Sequence, residues 1–376
     1  MRFHPAIVLG CLCGIVLMAP MAWAPRHRIL AGVNDFVMFY AGAKLSGTPD
    51  LYNPARVRQV QGDSAGSTGE NYLYCRPPYL ALLIRPLGRM PYHTAYLLWQ
   101  LLLLAGFAGF LALWRPTPFP ITVLFSCLSL PLFACFMNAQ DLPLLLLWIA
   151  LSLRLEREGR HFWAGLIFSF CAAKFHLFLL VALLIVGQRL VRFAFGLAAG
   201  GLFFVTLSFA TAGLGWPARY WEILKLTTTV DVVEQMPNLR GLFFGWPHSA
   251  WWEGLVGLTA VIAVWIIVRN ADFEMGLAAA LAGGLLIGVH GSVADAVLLL
   301  PACLIVYART AEGWPRALAI VLLMPVGYVL WASPLPMLRV LVPLSILGML
   351  YSTAFLARLG SLRPGSGTAF GWQTVA

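Results

Sequence analysis

The sequence predicts an all-α, polytopic membrane protein, and three observations carry that prediction. Hydrophobic residues fill 60% of the 376 positions and charged residues only 11%, with a mean hydropathy of +0.82, a balance that excludes a water-soluble globular domain. Apolar stretches long enough to cross a bilayer recur along the chain between short loops. Every second short loop is rich in arginine: Arg115, then Arg154 with Arg157 and Arg160, Arg189 with Arg192, Arg269, Arg309 with Arg316, and Arg358 with Arg363. The positive-inside rule makes those loops cytoplasmic. The loops between them, which hold the polar clusters, face outward.

The chain begins MRFHPAIVLGCLCGIVLMAPMAWA, a basic tip, an apolar run and a small-residue ending that resemble a signal peptide. Pro25 directly after Ala24 argues against cleavage, so an uncleaved first helix is expected. Residues 25–92 form a first outer loop. Within it PPYLALLIRPLGRMP is too short, and too broken by proline and arginine, to span alone, and predicts juxtamembrane helices. Further spans are expected over 93–114, 118–137, 141–154, 161–174, 176–189, 193–213, 251–268, 274–290, 293–309, 315–332 and 336–357, about twelve with the first helix. Residues 214–250 form a second outer loop and 358–376 a cytoplasmic tail, all within one integral membrane domain, 1–376. The spans at 141–154 and 161–189 are short and predict a polar hollow beneath the outer surface.

The net charge of +10 is dispersed singly and in pairs, without the basic stripe of a nucleic-acid binder. Contacts with anionic membrane lipid and topology account for it instead. The seven cysteines lie almost entirely in apolar runs and outline neither a disulfide framework nor a metal site. There is no glycine-rich phosphate loop, HExxH or DxD motif, so neither a metal nor another cofactor is demanded, and ATP-driven transport within the chain is disfavoured.

Six outward segments carry candidate chemistry. Asp35, in AGVNDFVMFYAGAKL, reads either as a helix cap before Phe36 or as a carboxylate held in a partly desolvated site where it can act as a base. Tyr74 opens the segment that runs to Pro78. Asn138, Gln140 and Asp141 form the turn MNAQDLP, where amides either contact a polar ligand or close a helix. Lys174 and His176 interrupt FSFCAAKFHLFLL; a lysine at such depth suits a phosphate clamp facing a polar cavity, or snorkels to headgroups. Arg240, in QMPNLRGLFFGWPH, presents a planar fork for phosphate or anchors an aromatic interfacial loop. His290 and Asp295, in GVHGSVADAVLLLP, are either an imidazole with an orienting acid or a turn with a helix cap.

Taken in order, NDFVMFYAGAKLSGTPDLYNP, YCRPPYLALLIRPLGRMP, MNAQDLPLLLL, AAKFHLFLL, NLRGL and VHGSVADAVLLLP resemble the polyprenyl-phosphate-dependent mannosyltransferases of glycosyltransferase family 87, over residues 1 to about 310. That resemblance implies a GT-C type fold and inverting transfer of a sugar, mannose in the family, from a polyprenyl-phosphate donor to a glycolipid or glycan acceptor. The site would lie on the periplasmic or extracellular face of a bacterial inner membrane. It implies Asp35 as catalytic base, Lys174, Arg240 and His290 around the donor phosphate, and Asp295 as the acidic partner of the histidine; beside the resemblance, His176, Asn138, Gln140 and Tyr74 are expected as further substrate contacts. The chain departs from the family pattern where Tyr74-Cys75-Arg76 precedes the prolines and where Phe175-His176 follows the lysine. A multispanning transporter or lipid flippase is the competing reading, disfavoured by the absence of charge at the centres of 93–114, 193–213 and 251–268 and of repeated halves. A non-catalytic assembly subunit, in which Asp35 would be dispensable, is a third.

Overall fold

The computed structural model describes residues 5–66, 72–230, 233–311, 313–333 and 335–362. Arg2, Arg363 and the remainder of the expected tail lie outside them. The described residues form helices joined by turns. Helix α1 (Pro5–Trp23) is followed by four short helices, α2 (Arg26–Ala31), α3 (Phe36–Leu45), α4 (Pro54–Ala65) and α5 (Pro78–Leu83), before the long α6 (Tyr92–Leu113). The start of α4 has a local cause. Asn53 accepts from the backbone N–H groups of Ala55 and Arg56 ahead of α4, with Pro54 at the first helical position, where its missing N–H costs nothing. The expected juxtamembrane piece is the single turn and a half of α5, continued by a 3-10 turn over Arg85–Arg89. Together these elements bury Phe36, Phe39, Tyr52 and Tyr74 against Trp99 and Leu103 of α6, so the first loop is a packed cap on the bundle.

Helices α7 (Phe119–Leu128) and α8 (Leu130–Met137) meet at a 65° bend. The break has two causes: Pro131 lacks a backbone donor, and Ser129 turns extended to cap α8. Helix α9 (Leu142–Arg157) follows, then α10 (His161–Phe168), a 3-10 stretch Ser169–Phe178, and α11 (Val181–Gly187). Helix α12 (Val191–Ala212) packs tightly on α10. A Cβ added at Gly196 would stand 1.9 Å from the Phe162 carbonyl oxygen, and one at Gly165 2.0 Å from that of Phe193, so this close crossing of backbones requires glycine at both positions. Helix α13 (Trp216–Val230) and the single turn α14 (Leu239–Leu242) belong to the second long loop. Tyr220 of α13 lies 5.5 Å from the ring of Tyr52, which joins the two outer loops.

Helices α15 (Ser249–Asn270), α16 (Phe273–Ile287), α17 (Leu299–Arg309), α18 (Trp314–Leu323), α19 (Pro325–Trp331) and α20 (Leu341–Arg358) complete the bundle. The alanine- and glycine-rich α16 is buried from Glu274 to Leu286 and forms its axis. By contrast α6, α12 and α15 expose Leu97, Leu101, Phe195, Leu202, Leu255 and Leu258, apolar surface of the kind that faces lipid.

Among the described residues six helices, α1, α6, the His161–Phe178 stretch, α12, α15 and α20, are long and apolar enough to cross a bilayer, and eight segments qualify if the bent pairs α7–α8 and α18–α19 (72°) each count once. The remaining spans expected among the twelve correspond to shorter or interrupted helices. Hydropathy sees an apolar run at 161–189 but not the break inside it, where Lys174 leaves helical geometry at φ −126°, ψ 50°.

Candidate active site

The ends of α8, α10, α16 and the first outer loop converge on one polar cluster. Asp35 immediately precedes α3, yet its carboxylate makes no cap bond. Neighbouring Asn34 does the local work. Its Oδ1 accepts from Phe36 N at 3.1 Å, and its Nδ2 donates to the Met137 carbonyl at 2.9 Å, tying the loop to the end of α8. The Asp35 carboxylate instead receives a hydrogen bond from Nε2 of Gln140. The side chain therefore does not cap α3.

Beneath Asp35 lie two cations and two further acids. Arg76 donates from Nε and Nη2 to the two oxygens of Asp141, at 3.1 and 3.2 Å, a bidentate pair with side-chain exposures of 8% and 4%. Lys174 Nζ lies 2.5 Å from Asp295 Oδ1, 3.8 Å from Asp141 and 3.2 Å from Gln140 Oε1. The other oxygen of Asp295 accepts from the backbone N–H and the hydroxyl of Ser292 at 2.7 and 2.9 Å. Gln140 Oε1 also accepts from Arg76 at 3.4 Å. Buried charges must be paired and hydrogen-bonded, and Asp141 and Asp295 are both. Among the described residues, Asp35 has no cation in direct contact. Desolvation pushes its carboxyl up to about 6, while the Gln140 hydrogen bond and the charges of Lys174 and Arg76 pull the other way.

Local backbone fixes these side chains. The break in helix at Lys174 turns its ammonium inward, and Gly284 lets α16 press against that break: a Cβ there would meet the Leu177 carbonyl oxygen at 2.2 Å. Trp99 donates to the Ala139 carbonyl at 2.8 Å and Gln140 N to Cys135 O at 2.9 Å, pinning a turn in which the buried Ala139 takes φ +52°.

At the rim, the rings of His176 and His290 are 6.1 Å apart, and His176 Nε2 has no hydrogen-bond partner among the described residues. Asn238 and Arg240 strap the loop before His290, donating to the carbonyls of Gly288 at 2.7 Å and Val289 at 3.0 Å.

The structure thus gathers Asp35, Gln140, Lys174 and Asp295, with His176, His290 and Arg240 around them. Two expected contacts lie elsewhere. Tyr74 is buried: its ring packs against Gly42, whose Cβ would fall 2.3 Å from it, and its hydroxyl donates to Pro77 O at 3.3 Å. Asn138 is exposed at the end of α8. Arg76 is the participant that the site expectations lack, and Asp141 gains a definite role. The signal for Arg76 was present as a lone arginine in the otherwise apolar YCRPPYLALL.

A second ionic cluster marks the opposite end. Glu274 pairs with Arg157 and, at 2.6 Å, with Arg309, which also reaches Asp272 at 3.2 Å. Helix α9 runs from Asp141 in one cluster to Arg157 in the other, a length of about 24 Å. The polar site therefore sits at one end of the bundle, and these arginines of the basic loops sit at the other.

A multi-pass helical membrane protein with one buried network of acids and bases at one end is the class this architecture defines. A sequence model of glycosyltransferase family 87 matches residues 72–301, well over half of the chain, and the protein belongs to that family. No curated protein and no solved structure matches the chain significantly. The matched span covers Arg76, Gln140, Asp141, Lys174, His176, Arg240, His290 and Asp295, and begins after Asp35.

Proposed function

We propose that this glycosyltransferase carries out inverting transfer of a hexose, mannose by resemblance to the polyprenyl-phosphate-dependent members of its family, from a polyprenyl-phosphate donor to a glycolipid or glycan acceptor, with Asp35 as general base. The observation that carries the reading is the state of Asp35. Among the described residues it is the acid of the cluster without a direct cation, partly exposed at the rim, and held by a neutral donor, Gln140. A carboxylate poised near 6 is ionised at neutral pH yet retains affinity for a proton, which suits general-base work.

In this mechanism Asp35 takes the proton of the acceptor hydroxyl as that oxygen attacks the anomeric carbon. The new C–O bond forms as the bond to the phosphate oxygen breaks, and polyprenyl phosphate leaves with the electron pair. Phosphate is a good leaving group, so no general acid is required. Arg240 and His290 are the basic groups at the rim that meet the departing phosphate, with the ring of His176 packed 6.1 Å from that of His290. Lys174 contributes its charge from below, since its ammonium is already enclosed by Asp295, Asp141 and Gln140.

The face of the membrane follows from charge. Arg157 and Arg309 lie at the end opposite the site, and the positive-inside rule makes that end cytoplasmic. The site then opens to the periplasmic or extracellular side of the cell membrane, where a lipid-linked donor keeps its tail in the bilayer.

The test is transfer of labelled mannose from polyprenyl-phosphate mannose to a bacterial lipid extract by purified protein. Asp35→Asn keeps shape but cannot accept a proton, and should lower the rate by about two to four orders of magnitude at equal folded amount. In the wild type kcat/KM should decline as pH falls through about 6, because protonation removes the base. Turnover by Asp35→Asn close to the wild-type rate refutes the assignment.

A further inference from the structure

We infer that Gln140 is the positioning residue for Asp35, an amide whose orientation is locked by two buried cations so that it always presents N–H to the carboxylate. This inference rests on the reading of Asp35 as base. A glutamine side chain is ambivalent, since its two ends are nearly equal in shape, one donating and the other accepting. Here both ends are specified. Lys174 Nζ at 3.2 Å and Arg76 Nη2 at 3.4 Å face Oε1, and neither group can accept a hydrogen bond. Asp35 Oδ2 faces Nε2, and an ionised carboxylate can only accept. Flipping the amide would set its NH2 against two cations and its oxygen against an anion, so the two ends enforce the same orientation.

The backbone of Gln140 is held as firmly as its side chain. Its N–H bonds to Cys135 O, the carbonyl before it accepts from Trp99, and Asp141 after it is gripped in bidentate fashion by Arg76. One of the two cations on the amide oxygen therefore also fixes the neighbouring residue. Asp141 and Asp295 complete the device by neutralising the cations in place, which leaves a polarised but uncharged donor on Asp35.

The neutrality of that donor explains the arrangement. A lysine or arginine bound directly to Asp35 would orient it equally well while stripping its affinity for a proton. Gln140 transmits only part of the cations' field and leaves Asp35 Oδ1, which receives no hydrogen bond among the described residues, for the acceptor hydroxyl.

The groups that face Asp35 are Tyr72, Cys75 and Arg76 from the segment before α5, Cys135 of α8, Lys174 from the break before α11, and Asp295. None is altered by substituting Gln140 itself. The experiment is therefore the pH dependence of kcat/KM for mannose transfer from polyprenyl-phosphate mannose, with Gln140→Leu, Gln140→Glu and Asp35→Asn compared with the wild type. For Gln140→Leu the rising limb should move up by about one pH unit, the displacement expected when a carboxylate loses one hydrogen bond, with much of the activity recovered on the alkaline side. Gln140→Glu keeps the shape of the side chain and guards against a Gln140→Leu variant that fails to fold. It sets a second carboxylate against Asp35 and should move the limb further. If either folded variant loses rate equally at every pH with its limb unmoved, Gln140 is a packing residue and the inference fails. If Asp35→Asn proves fully active, it is the base assignment that fails, whatever the Gln140 variants show.

Discussion

Lys174→Met is the perturbation that most directly tests the buried network. Lys174 and Asp295 have side-chain exposures of 4% and 2%, so solvent screens neither charge and no discount for exposure applies. Methionine fills a similar volume but leaves Asp295 Oδ1 without the ammonium 2.5 Å away; only the Ser292 donors on the other oxygen remain. Breaking a buried pair from one side in this way costs about 3–5 kcal/mol, a large share of the roughly 5–15 kcal/mol that separates folded from unfolded chains. Asp295→Asn should be costly for the converse reason, since Lys174 would keep only Asp141 at 3.8 Å and the Gln140 oxygen. The double variant Lys174→Met/Asp295→Asn removes both charges together and should lie well above the sum of the singles, with a coupling of about 2 kcal/mol or more. The assay is denaturant or thermal unfolding of the purified protein in detergent, followed by tryptophan fluorescence on all four species. Additive losses, or a Lys174→Met variant as stable as the wild type, would refute the pairing and return Lys174 to the role of a free phosphate clamp.

Three further outcomes follow from the same geometry. In a cysteine-free background, a cysteine at Asn138 should be labelled from outside by an impermeant thiol reagent and one at Arg160 should not; the reverse pattern would invert the topology. Arg240→Gln and the double variant His176→Ala/His290→Ala should each weaken binding of polyprenyl-phosphate mannose by about tenfold, the worth of one hydrogen bond to a charged group, while the unfolding midpoint stays near wild type; unchanged affinity in both would make these residues loop anchors only. Glu274→Gln should lower stability by about 1–3 kcal/mol rather than more, because Arg309 retains Asp272 at 3.2 Å, and it should leave the pH dependence of transfer unmoved, the two clusters being separated by the length of α9.

The grouping of polar motifs was legible in the sequence because arginine distribution and hydropathy are one-dimensional signals. The loops holding Asp35, Gln140, Lys174 and Asp295 alternate with arginine loops, and the structure brings those four residues together. What stayed hidden is whatever depends on partners distant in the chain. Asp35 before a helix looks the same as a cap and as a carboxylate turned elsewhere, and the difference lies with a glutamine 105 residues away. Arg76, in a proline-rich turn, reads as a departure from a motif until Asp141, 65 residues on, closes on it. The number of uninterrupted spans was also illegible, because the break at Lys174 and the bends at Ser129 and Met324 fall inside runs that remain apolar. Composition is blind to whether an apolar run is one straight helix.

The accounting of charge in the cluster sharpens the choice of base. Asp141 has both oxygens on Arg76. Asp295 has one oxygen on Lys174 and the other on Ser292, and is 1% exposed. Neither can turn toward an acceptor hydroxyl without abandoning a buried cation, a loss of several kcal/mol before any proton moves. If Asp295 had been the base, its lysine would have to be released at each turnover. Asp35 faces no such conflict: among the described residues it has no ion pair to give up when it takes a proton, and its bond from Gln140 is to a neutral amide that a protonated carboxyl can keep. Two cations, two acids that neutralise them and a third acid held by an uncharged donor form an arrangement in which, under the proposed mechanism, the proton goes to the carboxylate that carries no ion pair among the described residues.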